Sequence, residues 1–410
     1  MTTAILSTVQ DIQRRAASLL LYQSVLEDTV GRAFLDVLQA LSATESEPDP
    51  AGVRCLRAYG HWFNAMASAG LGWQAYLIAQ ILKADNPFSR QAQRADLPAL
   101  SESSEGDLPE GDLPKALLAA ARQDLRSLQV LYTCSPQKVS QWVQAISGLP
   151  TAPVAWDQPT ATLPAGSIGS KLETSEDWAT LLEPLAAHYR QVGTGVFATY
   201  RAFRWQSNRL MGISYPDPIR LQHLTGYEWQ KAALVQNTEA LLAGYAALHV
   251  LLYGSRGSGK SSLVKGLLHE YGDRGLRLIE VTKADLQDLP AIADQLRLIP
   301  QKFIIFVDDL SFEEDEDAYK ALKVVLEGNL TARPQNIVVY ATSNRRHLIR
   351  EFFGDRPAPR DGDEIHAWDT VQEKLSFSDR FGLTLTFEPA DQTTYLSIVH
   401  HLAQQAALAL

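Results

Sequence analysis

The sequence predicts an α/β domain built on a parallel β-sheet, preceded by a mainly α-helical domain, in a chain of 410 residues. From about residue 221 onwards, short and mostly continuous apolar runs alternate with helical patterns. Such runs are typical of strands that are buried on both faces of a parallel sheet. A glycine-rich loop follows the first of these runs, whereas residues 1–42 carry apolar side chains at helical spacing.

The amino-terminal domain, residues 1–220, is expected to be mainly helical and to carry no chemical motif. Helical patterns occupy residues 1–42, 51–84, 115–134 and about 175–212. We expect mobile loops near 85–114 and 147–172, because such polar, proline-containing stretches bury too little apolar surface to offset chain entropy. An uncharged run between Arg57 and Lys83 could span a bilayer by length alone. Its polar side chains and glycines favour two short buried helices, so no transmembrane segment is expected.

Composition restricts the kinds of partner and compartment. The 37 Lys and Arg against 47 Asp and Glu give a formal charge of −10, which argues against nucleic acid or anionic lipid as the main partner. Cys55 and Cys134 lie far apart in the sequence, which indicates neither a disulfide framework nor a zinc site. The amino terminus lacks the pattern of a signal peptide. We therefore expect a cytoplasmic protein.

The α/β domain is expected over residues 221–390, followed by one helix in residues 391–410. Predicted strands cover residues 247–253, 276–281, 303–309, 336–342 and 383–388. Predicted helices cover residues 260–271, 290–298, 319–330 and 391–407. This alternation predicts a doubly wound sheet with right-handed crossovers.

The first strand of this domain runs directly into the sequence GSRGSGKSS, which fits the phosphate-binding pattern G-x-x-x-x-G-K-[ST]. Glycines allow the backbone to wrap around an anion, and the N–H groups of the loop and of the following helix face it. Lys260 would reach the β- and γ-phosphates, and the Ser261 hydroxyl would hold Mg²⁺. The predicted nucleotide-binding residues of this loop are Gly254, Arg256, Gly257, Ser258, Gly259, Lys260, Ser261 and Ser262.

Further candidate catalytic residues follow the later strands. The third strand ends in Asp308 and Asp309. Asp308 could join the Mg²⁺ shell, and Asp309 could act as a general base on water. Asn344 ends the fourth strand and could orient that water if its strand lies between the other two. Arg380 stands just before the last strand.

Two other classes of nucleotide-binding protein fit less well. The sequence TKAD at 282–285 imitates the guanine-reading motif of GTPases. It precedes the strand of Asp308, where GTPases have it later, and no D-x-x-G accompanies it. A small-molecule kinase would have an arginine-rich lid soon after the third strand, where this chain has another apolar strand.

The segments GSRGSGKSS, VDD, YATSN and SDRF occur in the order of the Walker A, Walker B, sensor 1 and arginine-finger elements, and in this respect the chain resembles AAA+ ATPases. The resemblance covers about residues 221–405. It is closer to a little-characterised bacterial group of predicted AAA+ ATPases, a domain of unknown function. The first 220 residues resemble no family.

The resemblance implies an oligomerising module that uses ATP and Mg²⁺, with five parallel strands and the phosphate-binding strand central. It makes Asp308 the Walker B aspartate, a metal site together with Ser261, and it makes Asn344 sensor 1. Arg380 would act in trans, on the γ-phosphate of a neighbouring subunit. Tyr227 and Gln230 resemble the segment that contacts adenine, although Tyr227 is equally consistent with core packing.

Two departures from the AAA+ pattern bear on turnover. Asp309 stands where these proteins usually have Glu. The helix at 391–410 resembles only the first helix of a lid, so we expect a truncated lid without a sensor 2 arginine. The predicted function is an ATP-hydrolysing oligomer that remodels a protein client recruited by the helical domain. Two alternatives remain: a nucleotide-gated scaffold with very slow turnover, and a DNA remodeller, which the acidic charge disfavours.

Overall fold

A computed structural model describes residues 2–42, 52–94, 113–157, 164, 166–311, 317–327, 334–344 and 380–406. The chain forms two compact units, Met1–Ala198 and Thr199–Leu410. Residues 199–220, which the sequence pattern assigns to the helical domain, belong to the second unit. Among the described helices, none combines the length and apolar character needed to cross a membrane.

All described regular elements that lie within the first unit are helices. Its helices are α1 (Thr2–Ala17), α2 (Thr29–Ser42), α3 (Val53–Ala69), α4 (Trp73–Leu82), α5 (Pro87–Ala92), α6 (Lys115–Tyr132), α7 (Pro136–Ser147), α8 (Ile168–Thr174), α9 (Leu182–Val192) and α10 (Val196–Thr199), whose last residue begins the second unit. Aromatic side chains fill the core: the rings of Phe34 and Trp73 stack with centroids 4.0 Å apart, and Trp62 lies 5.4 Å from Phe34. Cys55 and Cys134 are buried and are not joined in a disulfide.

Helices α5 and α8 fall inside the stretches predicted as loops. Asn86 caps α5 by accepting from the Ser89 backbone N–H, with proline at the first helical position and Phe88 fully buried. Ser167 caps α8 in the same way. Composition alone misses such short capped helices, because one cap and one buried side chain suffice to fix them. Residues 95–112, 158–163 and 165 of the two predicted loops lie outside the described residues.

A buried carboxylate fixes the chain between α1 and α2. Asp124 on α6 has no exposed surface, and it accepts hydrogen bonds from the backbone N–H groups of Leu20, Leu21 and Tyr22 at 2.7–3.0 Å. Charge-assisted bonds of this kind are about twice as strong as neutral ones. They give partners to three consecutive backbone N–H groups, of which that of Tyr22 is buried. Asp124 therefore links two segments that are about a hundred positions apart in sequence.

We expect Asp124→Asn to destabilise the first unit by about 2 kcal/mol, because the amide keeps only one acceptor oxygen and loses its charge. Hydrogen exchange of peptides from α1 and α6 would measure the loss. Asp11→Asn is the matched control, since the side chain of Asp11 is 58% exposed and should change stability by less than about 0.5 kcal/mol. Equal exchange rates in the two variants would contradict the anchoring role of Asp124.

The second unit is a seven-stranded mixed sheet with helices on it. The strands are β1 (Ala202–Gln206), β2 (Arg209–Ile213), β3 (Val250–Gly254), β4 (Leu276–Glu280), β5 (Lys302–Val307), β6 (Ile337–Ser343) and β7 (Leu383–Phe387). The helices are α11 (Glu228–Leu242), α12 (Lys260–Tyr271), α13 (Leu289–Leu296), α14 (Asp317–Glu327) and α15 (Gln392–Gln405). The spatial order is β2-β1-β4-β5-β6-β3-β7.

The prediction of five parallel strands is wrong in number and only partly right in direction. The five predicted strands are present and mutually parallel, but β1 adds to them in parallel alongside β4, and β2 pairs antiparallel with β1. Ser207 and Asn208 both have positive φ, 52° and 61°, as a two-residue hairpin turn requires. Phe203 and Trp205 are buried while the residues between and after them are exposed. This period-two pattern lies in the stretch predicted as helical.

The strand order brings the predicted residues that follow β3, β5 and β6 together at the carboxyl ends of the strands. Strand β6 lies between β3 and β5, as the hypothesis for Asn344 requires. The phosphate-binding strand β3 is one place from the sheet edge, flanked by β6 and β7, and so is not central. Val307 is level with Ala341, and Tyr253 is level with Ser343. The residues that follow β3, β5 and β6 therefore lie close together at the carboxyl ends of these strands.

Candidate nucleotide-binding site

The loop between β3 and α12 has a backbone that glycine alone adopts easily. Gly254, Gly257 and Gly259 have φ values of 134°, 78° and 85°. A Cβ atom on Gly254 would lie 2.0 Å from the carbonyl oxygen of Phe387 on β7. The Ser255 N–H donates to that same oxygen at 2.8 Å. The start of the loop is therefore held against the end of β7, and α12 begins at Lys260 with its first N–H groups at this edge.

The Lys260 side chain lies within the loop and is almost fully buried. Its ammonium donates to the carbonyl oxygens of Gly254 and Ser255 at 3.0 and 2.7 Å, and it lies 3.4 Å from the Asn344 Oδ1. Burial lowers the pKa of Lys260, and the carboxylates of Asp308 and Asp309 oppose this effect. One cation thus lies among the ends of three strands.

Two hydroxyl groups converge on Asp308. Ser261 Oγ donates to its Oδ1 at 2.6 Å, and Thr342 Oγ1 donates to the same oxygen at 2.5 Å. Asp309 follows in a left-handed conformation with φ of 52°, and its Oδ1 accepts from the Asn344 amide at 2.8 Å. The structure therefore brings Ser261, Asp308, Asp309 and Asn344 together with Lys260, and it adds Thr342 to them.

A cavity of about 520 Å³ lies beside the loop. It is lined by the predicted residues Arg256, Gly257, Ser258, Gly259 and Tyr227, and by Ile398 from α15. The Tyr227 ring lies 5.0 Å from that of Phe387, and its hydroxyl donates to the Glu388 carbonyl. Burial raises the pKa of Tyr227. Tyr227 thus both lines the cavity and packs against the sheet.

The segment around Tyr227 is tied to the end of β7 by a second bond. Gln230 on α11 donates from its amide to the Thr386 carbonyl at 2.8 Å. Phosphate loop, α11 and β7 therefore form one connected wall of the cavity. Ser262 lies in the first turn of α12, outside this lining.

These residues fit a nucleoside triphosphate with Mg²⁺. The donor set around Asp308 consists of hydroxyl and carboxylate oxygens, which Mg²⁺ prefers. The loop supplies backbone N–H groups, a helix amino terminus and a buried ammonium, all of which attract phosphate. The adjoining cavity offers Tyr227 and apolar side chains where the base of a nucleotide would lie.

Arg380 lies at the other end of the sheet. Strand β7 begins at Leu383, level with Val250 at the start of β3, whereas Phe387 is level with Gly254. Four residue steps along a parallel strand measure about 13 Å. Gly382 lies beside the side chain of Leu248, still before the start of β3. The segment that begins at Arg380 therefore lies at the amino ends of the strands, opposite to the phosphate loop of the same subunit.

Thr342 and the cavity residues of α15 were not among the predicted site residues. Thr342 is only 2% exposed, and it lies two positions before Asn344, on the same face of β6. That spacing was a usable signal, because alternate residues of a strand share a face. The contribution of α15 has no such signal, because tertiary packing alone brings Tyr395 and Ile398 to the cavity.

Comparison with solved structures finds weak similarity. The Holliday junction branch migration motor RuvB of Thermotoga maritima matches with 16% identity and a TM-score of 0.29, covering 46% of this chain and 54% of that chain. AMPPCP-bound DnaA from Aquifex aeolicus matches with 17% identity and a TM-score of 0.31, covering 48% and 58%. Both alignments span little more than half of those chains, and similarity at this level carries no information on activity. A comparison with curated proteins finds no match.

The family comparison is specific to the second unit. Residues 198–410, just over half of the chain, match the family described as "Protein of unknown function (DUF815)". The matched region begins where the second compact unit begins, so it includes the β1–β2 hairpin. The chain belongs to this DUF815 family.

Proposed function

We propose that the second unit binds ATP with Mg²⁺ and hydrolyses it. Three hydrogen-bonded pairs at the ends of neighbouring strands carry the proposal: Lys260 with Asn344, Asn344 with Asp309, and Ser261 with Asp308. Lys260 would hold the β- and γ-phosphates, and Ser261 with Asp308 would hold Mg²⁺. When bound, Mg²⁺ neutralises charge on the phosphate oxygens. Asp309 would accept a proton from water, and Asn344 fixes the direction of that carboxylate.

We further propose that the protein acts as an oligomer and that the first unit recruits a protein client. The oligomer is supported by the distance of Arg380 from the phosphate loop of its own subunit, since the two lie at opposite ends of β7. Arg380 would therefore act on a bound nucleotide only if that nucleotide belonged to a neighbouring subunit. Support for the client is indirect: the first unit is a separate compact body with its own core. The acidic charge of the chain favours a protein over nucleic acid as that client.

The test compares Lys260→Ala with wild type. We expect the affinity for a fluorescent ATP analogue in the presence of Mg²⁺ to fall about 100-fold, because a charge-assisted contact to phosphate is lost. Sedimentation of the same samples would report assembly, and ATP should enlarge the wild-type particle only. Lys265→Ala is the matched control, one turn further along α12 and paired with Asp217 on the surface. Unchanged affinity in Lys260→Ala would contradict the proposed site.

A scaffold with very slow turnover is the second candidate. The aspartate at position 309 favours it, because its carboxylate is shorter than the usual glutamate and already bonded to Asn344. A single-turnover assay separates the two functions. Hydrolysis faster than about one event per minute, above the intrinsic rate of slow P-loop proteins, would exclude the scaffold. Tight ATP binding without measurable hydrolysis would favour it.

A further inference from the structure

Thr342 is a buried residue of β6 to which the AAA+ resemblance assigns no role. It lies on β6 with 2% of its surface exposed. Its hydroxyl makes two hydrogen bonds: it donates to Asp308 Oδ1 at 2.5 Å and accepts from the backbone N–H of Asp309 at 2.9 Å. The single proton and one lone pair of this hydroxyl are thus both directed at the two carboxylate residues.

A third bond from the same residue supports the turn after β5. The Thr342 carbonyl accepts from the Leu310 N–H at 2.7 Å. Between these contacts lies Asp309, whose φ of 52° is uncommon for a residue with a side chain. Such a conformation costs of order 1–3 kcal/mol and persists only where its surroundings fix it. The bonds from Thr342 to residues 308–310 fix the conformation of Asp309 from the side of β6.

The direction of the Asp308 carboxylate depends on the same hydroxyl. Asp308 Oδ1 accepts from Thr342 inside the sheet and from Ser261 at the start of α12. Ser261 is itself a proposed metal ligand, so its hydroxyl cannot serve only to orient the Asp308 carboxylate. Thr342 is buried, and its hydroxyl is bonded only to the Asp308 carboxylate and the Asp309 backbone among the described contacts. Groups that orient a metal-binding carboxylate in this way affect metal affinity by 10–100-fold when removed.

We propose that Thr342 is a positioning residue, which sets the Asp308 carboxylate for Mg²⁺ and holds the backbone of Asp309 so that its carboxylate reaches Asn344. The inference rests on the proposed ATPase function. It differs from a simple packing role, because the hydroxyl and not the volume of the side chain is what matters. Thr342→Val keeps the shape and removes the hydroxyl, whereas Thr342→Ser keeps the hydroxyl.

The experiment measures Mg²⁺ dependence and metal-free binding separately. We expect Thr342→Val to raise the Mg²⁺ concentration at half-maximal nucleotide binding by about 10–100-fold and to lower kcat. Affinity for the fluorescent ATP analogue without metal should stay within about twofold of wild type. Thr342→Ser should restore both the Mg²⁺ dependence and kcat to near wild-type values.

The control for lost stability is Thr238→Val on α11. Thr238 is equally buried, and its hydroxyl bonds the Leu234 carbonyl and the Tyr340 hydroxyl away from the site. It should lower the thermal midpoint without changing Mg²⁺ dependence. If wild-type protein hydrolyses ATP and Thr342→Val has the same Mg²⁺ dependence as wild type, the role of Thr342 is overturned while the proposed function stands. An equal loss of metal-free binding in Thr342→Val would overturn that role as well. A wild-type protein that binds no ATP would overturn the proposed function itself.

Discussion

Replacing Arg380 with alanine is expected to lower ATP turnover by about 10³-fold or more, the range in which arginine fingers act. The physical reason is the charge that develops on the γ-phosphate in the transition state, which a guanidinium stabilises. Nucleotide affinity should change much less, because Arg380 lies near the amino end of β7, whereas the proposed nucleotide-binding loop of the same subunit lies at its carboxyl end. Steady-state assays across a range of protein concentrations would measure both. Arg209→Ala, on the exposed β2 edge, is the matched control.

A mixing experiment distinguishes an arginine that acts in trans from one that acts within its own subunit. Arg380→Ala and Asp309→Asn should each be inactive alone. In an equimolar mixture, a subunit with intact Asp309 receives Arg380 from an Asp309→Asn neighbour at about a quarter of head-to-tail interfaces, if assembly is random. ATP turnover of the mixture should therefore rise toward about a quarter of the wild-type rate. If both variants co-assemble and the mixture stays inactive, the shared site is wrong.

The α/β core could be predicted from sequence because its inner strands, such as β5 and β6, are buried on both faces. Continuous apolar runs such as FIIFV have no alternative pattern to compete with, and β5 covers Lys302–Val307 where the run predicts residues 303–309. The phosphate loop was equally visible, because its glycines are required by backbone geometry and not by packing. Strand pairing determined the relative positions of Asp308 and Asn344 once β6 was placed between β3 and β5.

The β1–β2 hairpin was not predicted because its signal is short and mixed. Trp205 alternates with exposed polar residues over only five positions, and the turn at Ser207 and Asn208 carries no glycine. A helical interpretation of the same residues was therefore available. Burial of Trp205 is completed by a bond from its indole N–H to Asp288 at 2.9 Å, a contact over 83 positions that no local pattern contains.

The site shows a similar division between what sequence and structure can supply. Motif order predicts which residues face a nucleotide, and both this placement and their chemical roles remain predictions. The hydrogen bonds among them depend on side-chain directions at the ends of three strands. Asp309 is an example: its left-handed backbone turns the carboxylate toward Asn344, which the letters VDD do not reveal. The role proposed for Thr342 depends on the same local geometry.

The largest stability loss is expected for Gly254→Ala, at about 4 kcal/mol in the second unit. Two costs combine there: a φ of 134° that a Cβ atom disfavours, and a clash at 2.0 Å with the Phe387 carbonyl. That carbonyl is backbone of β7 and already accepts from Ser255, so it cannot move without breaking the pairing of β3 with β7. Hydrogen exchange of peptides from these two strands would measure the loss.

Gly257→Ala is the matched control within the same loop. Its φ of 78° carries a strain of about 1–2 kcal/mol, but no atom lies within 4 Å of the added Cβ. The difference between the two variants therefore isolates the contact with Phe387. Peptides from the first unit should exchange at wild-type rates in both variants, because each unit has its own core. Equal destabilisation by the two substitutions would mean that backbone strain alone, and not the close approach of β7, makes glycine necessary at the start of the phosphate loop.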